Sequence, residues 1–149
     1  MSVEVRRGVE NDIPELLNCI KELALYEKAP DEVEMTEELL LKDGFGDRPL
    51  FQFFVAEEAG EIKGIALYYE KYSTWKGRCL FLEDLIVKEQ YRHQGVGELL
   101  LNRLKIEAKG KGAKRLEWVV LDWNEPAINF YLKQNASIDK EWLSCRVEF

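Results

Sequence analysis

The chain has one histidine and three cysteines in 149 residues. Cys19, Cys79 and Cys145 are scattered, odd in number and without C-x-x-C spacing. That leaves no His/Cys cluster for zinc and no disulfide framework; no metal is expected. It predicts reduced, mostly buried thiols in a cytoplasmic protein. Long apolar runs are missing too, so no membrane-spanning segment is expected. The first residues, Met1-Ser2-Val3-Glu4-Val5-Arg6, lack the basic-then-apolar plan of a signal peptide. Positive charge is in deficit: 21 Lys and Arg stand against 28 Asp and Glu, a net charge of −7, with a pI near 4.9. This argues against nucleic acid as a partner. It favours a small cationic substrate, although an acidic balance also serves solubility. Without repeats, low-complexity stretches or a linker, residues 1–149 read as a single domain, and a hydrophobic share of 46% suffices for a core.

Periodicity orders the elements. Val3 to Arg6 alternates as a first strand. Asn11 can cap a helix with Pro14 in its first turn and a stripe of Ile13, Leu16, Leu17, Ile20, Leu23 and Ala24, ending near Tyr26 and Glu27. Thr36 can cap a short helix through Leu41, stopped by Gly44 and Gly46. Phe51–Glu57 and Ile62–Tyr69 form a hairpin through Ala59-Gly60, and Cys79–Val87 is the next strand. Glu98 to Ala108 is helical, with Val96, Leu99, Leu100 and Leu104 on one face. Leu116–Leu121 reads as a buried central strand, because it is nearly continuously apolar. Asn124 caps a further helix carrying Ile128, Phe130 and Tyr131. Leu143 to Phe149 alternates as a last antiparallel strand. The order β-α-α-β-β-β-α-β-α-β predicts an α/β (α+β) domain, a mixed sheet flanked by helices on both faces.

The most informative stretch is Arg92-His93-Gln94-Gly95-Val96-Gly97, placed between a strand and a helix. Glycines there let backbone N–H groups approach a ligand, and the helix N-terminus adds partial positive charge. The spacing is not the G-x-G-x-x-G dinucleotide fingerprint. Nor is it a Walker loop, since Glu98 and Leu99 follow Gly97.

Arg92-x-x-Gly95-x-Gly97 resembles the pyrophosphate-binding signature of the GNAT N-acetyltransferases. The likeness extends, in order, over Tyr26-Glu27, Asp43-Gly44-Phe45-Gly46, Leu82-Glu83-Asp84 and Trp123-Asn124-Glu125-Pro126-Ala127-Ile128-Asn129-Phe130-Tyr131. Together these resemble the diamine (spermidine/spermine) branch, which includes thialysine acetyltransferases. The resemblance implies the acyl-CoA N-acyltransferase fold with a mostly antiparallel central sheet, acetyl-CoA as co-substrate, a small amine as acceptor, and a homodimer paired through C-terminal strands. It implies that Leu85, Ile86 and Val87 offer backbone hydrogen bonds to the acetyl and pantetheine portion, near a bulge that splays the strands. It also implies that Arg92, His93, Gln94, Gly95, Val96, Gly97 and Glu98 hold the pyrophosphate, and that Asn124, Glu125, Pro126 and Ala127 contact coenzyme A. Tyr131 matches the general acid, which also lies beside the cofactor. Tyr26, Glu27, Glu83, Glu141 and Trp142 match substrate-side positions. Two departures leave the acceptor open: His93 stands where relatives often carry glycine, and the segment from Ala136 to Trp142 is shorter than in the eukaryotic polyamine enzymes.

The residues set their own chemical terms. An alkylamine with a pKa of roughly 10 is charged at neutral pH, so its proton must be accepted before acyl transfer. Glu83, at the end of a strand, is the candidate base, directly or through water; equally it can hold the ammonium in place. Asp84 would point to the opposite face of a regular strand, unless a bulge re-aims it. A backbone N–H near Leu85 to Val87 can stabilise an oxyanion. Tyr131 lies seven residues beyond Asn124, about two helical turns, within reach of a departing sulfur. Tyr26, Glu27, Trp75 and Glu83 can form an acidic, aromatic slot for an extended cation. His93 reads as a loop residue rather than a base. Cys145 reads as structural, and no His or Asp arrangement supports a covalent acetyl-cysteine. The sequence therefore leads to direct acetyl transfer from acetyl-CoA to a diamine or polyamine, with thialysine or another amino acid as the rival acceptor. A non-catalytic acetyl-CoA-binding module is the alternative of another class.

Overall fold

The computed structural model describes residues 2–149. The chain forms two compact units, one running to Trp118 and the other Val119–Phe149. The first holds β1 (Glu4–Arg7), α1 (Ile13–Tyr26), α2 (Glu37–Phe45), β2 (Gln52–Glu58), β3 (Glu61–Ser73), β4 (Gly77–Val87), α3 (Val96–Gly110) and β5 (Leu116–Glu117), and the second holds α4 (Glu125–Lys133). Strand order in the sheet is β1-β2-β3-β4-β5. The first three pairings are antiparallel and β4–β5 is parallel. No helix among the described residues is long and apolar enough to cross a membrane.

Alternation along the strands divides the core between the two faces. Phe53, Val55, Ile65, Leu67 and Ile86 pack with Ile13, Leu16, Leu17 and Cys19 of α1 and Leu40 of α2. The residues between them, Phe54, Ala56, Ala66 and Tyr68, are equally buried and face α3. Thr36 caps α2 as expected, its Oγ1 accepting the Leu39 N–H at 3.2 Å, but Asn11 does not cap α1: it lies within a 3-10 turn, Glu10–Asp12, and Asp12 takes the N-cap position without a side-chain cap bond. The β2–β3 hairpin turns through Ala59 (φ 52°) and Gly60 (φ 80°), the paired left-handed residues that match the strand twist.

Two contacts seat α3. The Tyr68 hydroxyl donates to Glu107 Oε2 at 2.8 Å and accepts from Arg7 Nη1 at 3.0 Å, while Arg7 and Arg103 both lie over the Phe54 ring. Burial pushes the Tyr68 phenol up to about 12, so it remains a donor. At the other end, a Cβ on Gly64 would lie 2.6 Å from the Ile86 carbonyl oxygen and 3.2–3.3 Å from Leu100 and Val96. Only glycine lets the start of α3 close onto β3 and β4.

The structure corrects several expectations. Leu116–Leu121 is not a buried central strand: β5 is two residues long, lies at the sheet edge and pairs only with Leu80 and Phe81. The ladder stops where β4 bends at a bulge just beyond. Leu143–Phe149 forms no strand; alternation defines a face but supplies no partner for the backbone. Cys145 is exposed, whereas Cys19 and Cys79 are buried. Leu101 is buried on α3 and Leu99 is 42% exposed. Gly44 lies within α2, and only Gly46 caps it.

Gly64→Ala is expected to destabilise the protein by about 2–3 kcal/mol, because the obstructing atom is backbone and cannot rotate away. Urea unfolding measures it; a loss below about 0.5 kcal/mol would show that α3 has room to shift.

Candidate active site

The register of β3 against β4 slips once. Leu67 pairs with Asp84 and the next residue, Tyr68, pairs with Leu82. Glu83 is therefore an extra residue in β4 without a partner across the ladder. At such a bulge two successive side chains share one face of the sheet. Asp84, opposite Leu67, points to the face covered by α1, and Glu83 joins it there. Its Oε1 accepts the Tyr69 hydroxyl at 3.1 Å. Glu27, at the C-terminal end of α1, also faces Asp84 electrostatically.

Asp84 feels its neighbours most. Burial, then the charges of Glu83 and Glu27, push Asp84 up to about 7. Burial also raises Glu27 above the usual carboxylate range. Tyr69 is pushed up to about 12 by burial and by Glu83, and so remains a protonated donor. Asp84 can therefore accept a proton near neutrality, which is the requirement for a general base.

Beyond the bulge, β4 is open on one side. The Lys88 N–H bonds the Lys63 carbonyl at 2.9 Å. Alternation along an antiparallel ladder then aims the backbone groups of Ile86 at β3 and those of Leu85 and Val87 away from it. On that outer edge β5 reaches only Phe81. Of the predicted trio, Leu85 and Val87 thus present backbone groups to an incoming chain, and Ile86 presents its groups to β3. Arg92 Nε donates to the Val87 carbonyl at 3.0 Å.

The loop that follows is shaped by two left-handed residues, His93 (φ 64°) and Gly95 (φ 84°). Gly95 occupies the N-cap of α3 and has no side chain to satisfy the first turn, so N–H groups of Val96, Gly97 and Glu98 face outward. Nothing lies within 4 Å of where a Cβ of Gly95 would be. His93, Gln94 and Gly95 are exposed. An anion can reach this backbone without meeting a side chain, and the helix dipole favours it. The loop therefore fits a pyrophosphate.

Other predicted residues fall elsewhere. The Tyr26 ring sits under the Arg92 guanidinium, 5.0 Å from its centre. Trp75 does not join the carboxylates. It is 77% exposed in the β3–β4 turn, where Ser73 Oγ accepts its N–H. The β4 residues from Gly77 to Glu83 separate them by about 20 Å. In the second unit, Asn124 Oδ1 caps α4 through the Ala127 N–H at 3.4 Å, with Glu125 and Pro126 exposed in its first turn. Tyr131 is partly buried on α4, beside the Phe130 ring. Glu141 and Trp142 are exposed, and the Glu141 N–H bonds Asp139.

The exposed glycine loop at the start of α3 thus follows a strand with an open edge. The acetyltransferase (GNAT) family model matches residues 13–136. The chain belongs to this family. It is an acetyltransferase acting on an amine, and GNAT acetyltransferases use acetyl-CoA. Thialysine N-epsilon-acetyltransferase of Sus scrofa is 43% identical over 158 residues, covering 99% of this chain and 93% of its own. Spermidine/spermine N(1)-acetyltransferase-like protein 1 of Homo sapiens is 38% identical, covering 89% of this chain and 20% of its own. An integron cassette protein from the mobile metagenome of V. cholerae superposes with a TM-score of 0.82 at 26% identity, covering 100% and 94% of the two chains.

Sequence reasoning ranked Asp84 below Glu83 and passed over Tyr69. A register slip has no signature in composition; only the adjacent acidic pair hinted at it. The electrostatics give a direct check. Folded Asp84 keeps a proton up to about pH 7, whereas the unfolded chain releases it near 3.8. Stability therefore falls as pH rises through that window. Asp84→Asn removes the penalty. Its stability advantage over wild type is expected to widen by on the order of 2–3 kcal/mol between pH 5 and pH 8. Urea titrations at both pH values measure it; a constant gap would show that Asp84 does not titrate there.

Proposed function

We propose that the protein transfers the acetyl group of acetyl-CoA to a primary amine of a small cationic acceptor, a diamine or polyamine, directly within a ternary complex. The observation that carries this reading is the gathering of Glu27, Glu83 and Asp84 at the β4 bulge. A desolvated Asp84 facing two further carboxylates is relieved by a ligand bearing more than one positive charge. Glu83 holds the ammonium, and Asp84 accepts its proton so that a neutral nitrogen can attack.

Bound acetyl-CoA supplies the activated acyl group. The outward N–H groups of Leu85 and Val87 hold the acyl arm as a strand edge would. Residues Arg92 to Glu98 take the pyrophosphate, and Asn124 to Ala127 contact the coenzyme in keeping with the family likeness. Tyr131 Oη gives a proton to the leaving sulfur. The free thiols support a cytoplasmic setting. Pairing with a second copy is supported by Leu143, Val147 and Phe149, which are exposed and alternate with polar residues.

A second reading has thialysine as acceptor, favoured by the 43% identity to enzymes named for it. Its α-carboxylate needs a cation rather than further carboxylates, so relative rates for spermidine and thialysine separate the two.

Purified protein given acetyl-CoA and a panel of diamines, polyamines and thialysine is expected to release free thiol. Absence of turnover with cofactor binding intact would reject the proposal. Tyr131→Phe is expected to lower kcat by about 100-fold or more while acetyl-CoA still binds; an unchanged kcat would remove the acid role.

A further inference from the structure

We propose that Tyr69 is a positioning residue that acts through its hydroxyl on Glu83, setting the carboxylate that holds the acceptor's ammonium. The inference rests on the reading of the bulge carboxylates given above and assigns a residue outside them. Glu83 is the unpaired residue of the bulge, so the ladder on either side fixes it less than its neighbours. Its side chain has three rotatable bonds, and holding it in one orientation has an entropic cost. The Tyr69 hydroxyl meets that need by donating to Oε1 at 3.1 Å. A carboxylate has lone pairs to spare after one such bond, and the remaining positions stay open to an ammonium.

The tyrosine is itself held. It stands on β3 with its ring centroid 5.5 Å from that of Phe81 on β4. Lys71 Nζ lies 5.4 Å from the centre of the Phe81 ring and pairs with Glu117 of β5 at 2.6 Å. The hydroxyl thus comes from a braced ring rather than a mobile side chain. Because Tyr69 keeps its proton far above neutrality, it donates at every working pH and is not itself the base. Asp84 is faced by Glu83 of its own strand and by Glu27 of α1. By occupying one oxygen of Glu83, Tyr69 keeps that side chain on the ammonium and leaves Asp84 as the group that takes up the acceptor's proton.

Tyr69→Phe keeps the ring against Phe81 and removes only the hydroxyl. The test uses whichever of spermidine or thialysine the wild type turns over faster. The acceptor KM is expected to rise about fivefold to tenfold, with kcat changed less than twofold, the acetyl-CoA KM unchanged and Tm within about two degrees of wild type. The acid limb of kcat/KM is expected to move to higher pH, because a donor that favours the deprotonated pair has been lost. In a Glu83→Ala background the same substitution should add nothing. An acceptor KM equal to wild type overturns the proposal, as does an equal effect of Tyr69→Phe with and without Glu83. A wild-type protein that binds acetyl-CoA yet acetylates no amine defeats the proposed function instead, and the two failures are thereby distinct.

Discussion

One unpaired residue organises this molecule's chemistry. Glu83 has no opposite number on β3, and the slip has two consequences on two sides of the same strand. On the α1 face, it brings adjacent acidic side chains together where regular pleating would send them apart. At the strand's outer edge, the parallel ladder with β5 ends at Phe81, two residues before it. The backbone of Leu85 and Val87 is left without a strand neighbour there. In the proposed reaction the acceptor meets the first consequence and the acyl arm the second. In that proposal both reactants meet within a few residues of one register slip.

The carboxylate cluster carries an energetic cost that the fold absorbs. Desolvation and like charges oppose the ionised form of Asp84 near neutral pH. Such a cost is tolerated where function uses it. The surroundings compensate with a well-packed sheet and the Arg7–Tyr68–Glu107 contact on the opposite face. The net charge of −7 acts in the same direction at longer range, concentrating cations around the molecule.

Local signals were legible in the sequence where local physics decides the outcome. The Thr36 and Asn124 caps, the α1 stripe, the Ala59-Gly60 turn and the glycine loop each depend on residues within a few positions, and each forms. What failed depends on partners far along the chain. Leu116–Leu121 is apolar enough for a central strand, but its ladder is limited by a bend in β4. Leu143–Phe149 alternates well, but a strand exists only where another backbone accepts it. Trp75 was placed with Glu83 by residue type, and the length of a β-hairpin separates them. Tyr69 goes unseen and Asp84 is placed below Glu83 because the bulge that brings them together is a matter of register, and register depends on how two strands meet.

Arg92 shows how the two halves of the site are joined. Its Nε holds the Val87 carbonyl at the open edge, and its guanidinium covers the Tyr26 ring at the end of α1. The next residue, Glu27, faces Asp84. A few consecutive contacts therefore run from the glycine loop to the acidic cluster. The segment between β4 and the loop is tied along α1 as well: Lys88 pairs with Glu15 in its first turn at 2.5 Å, and the Glu89 N–H bonds Glu22 near its end. The segment leading into the loop and α1 are thus held together at both ends of the helix. In a transfer that requires both reactants at once, this bracing matters more than any single contact: a loop free to move relative to the carboxylates would lose the alignment that makes proximity effective.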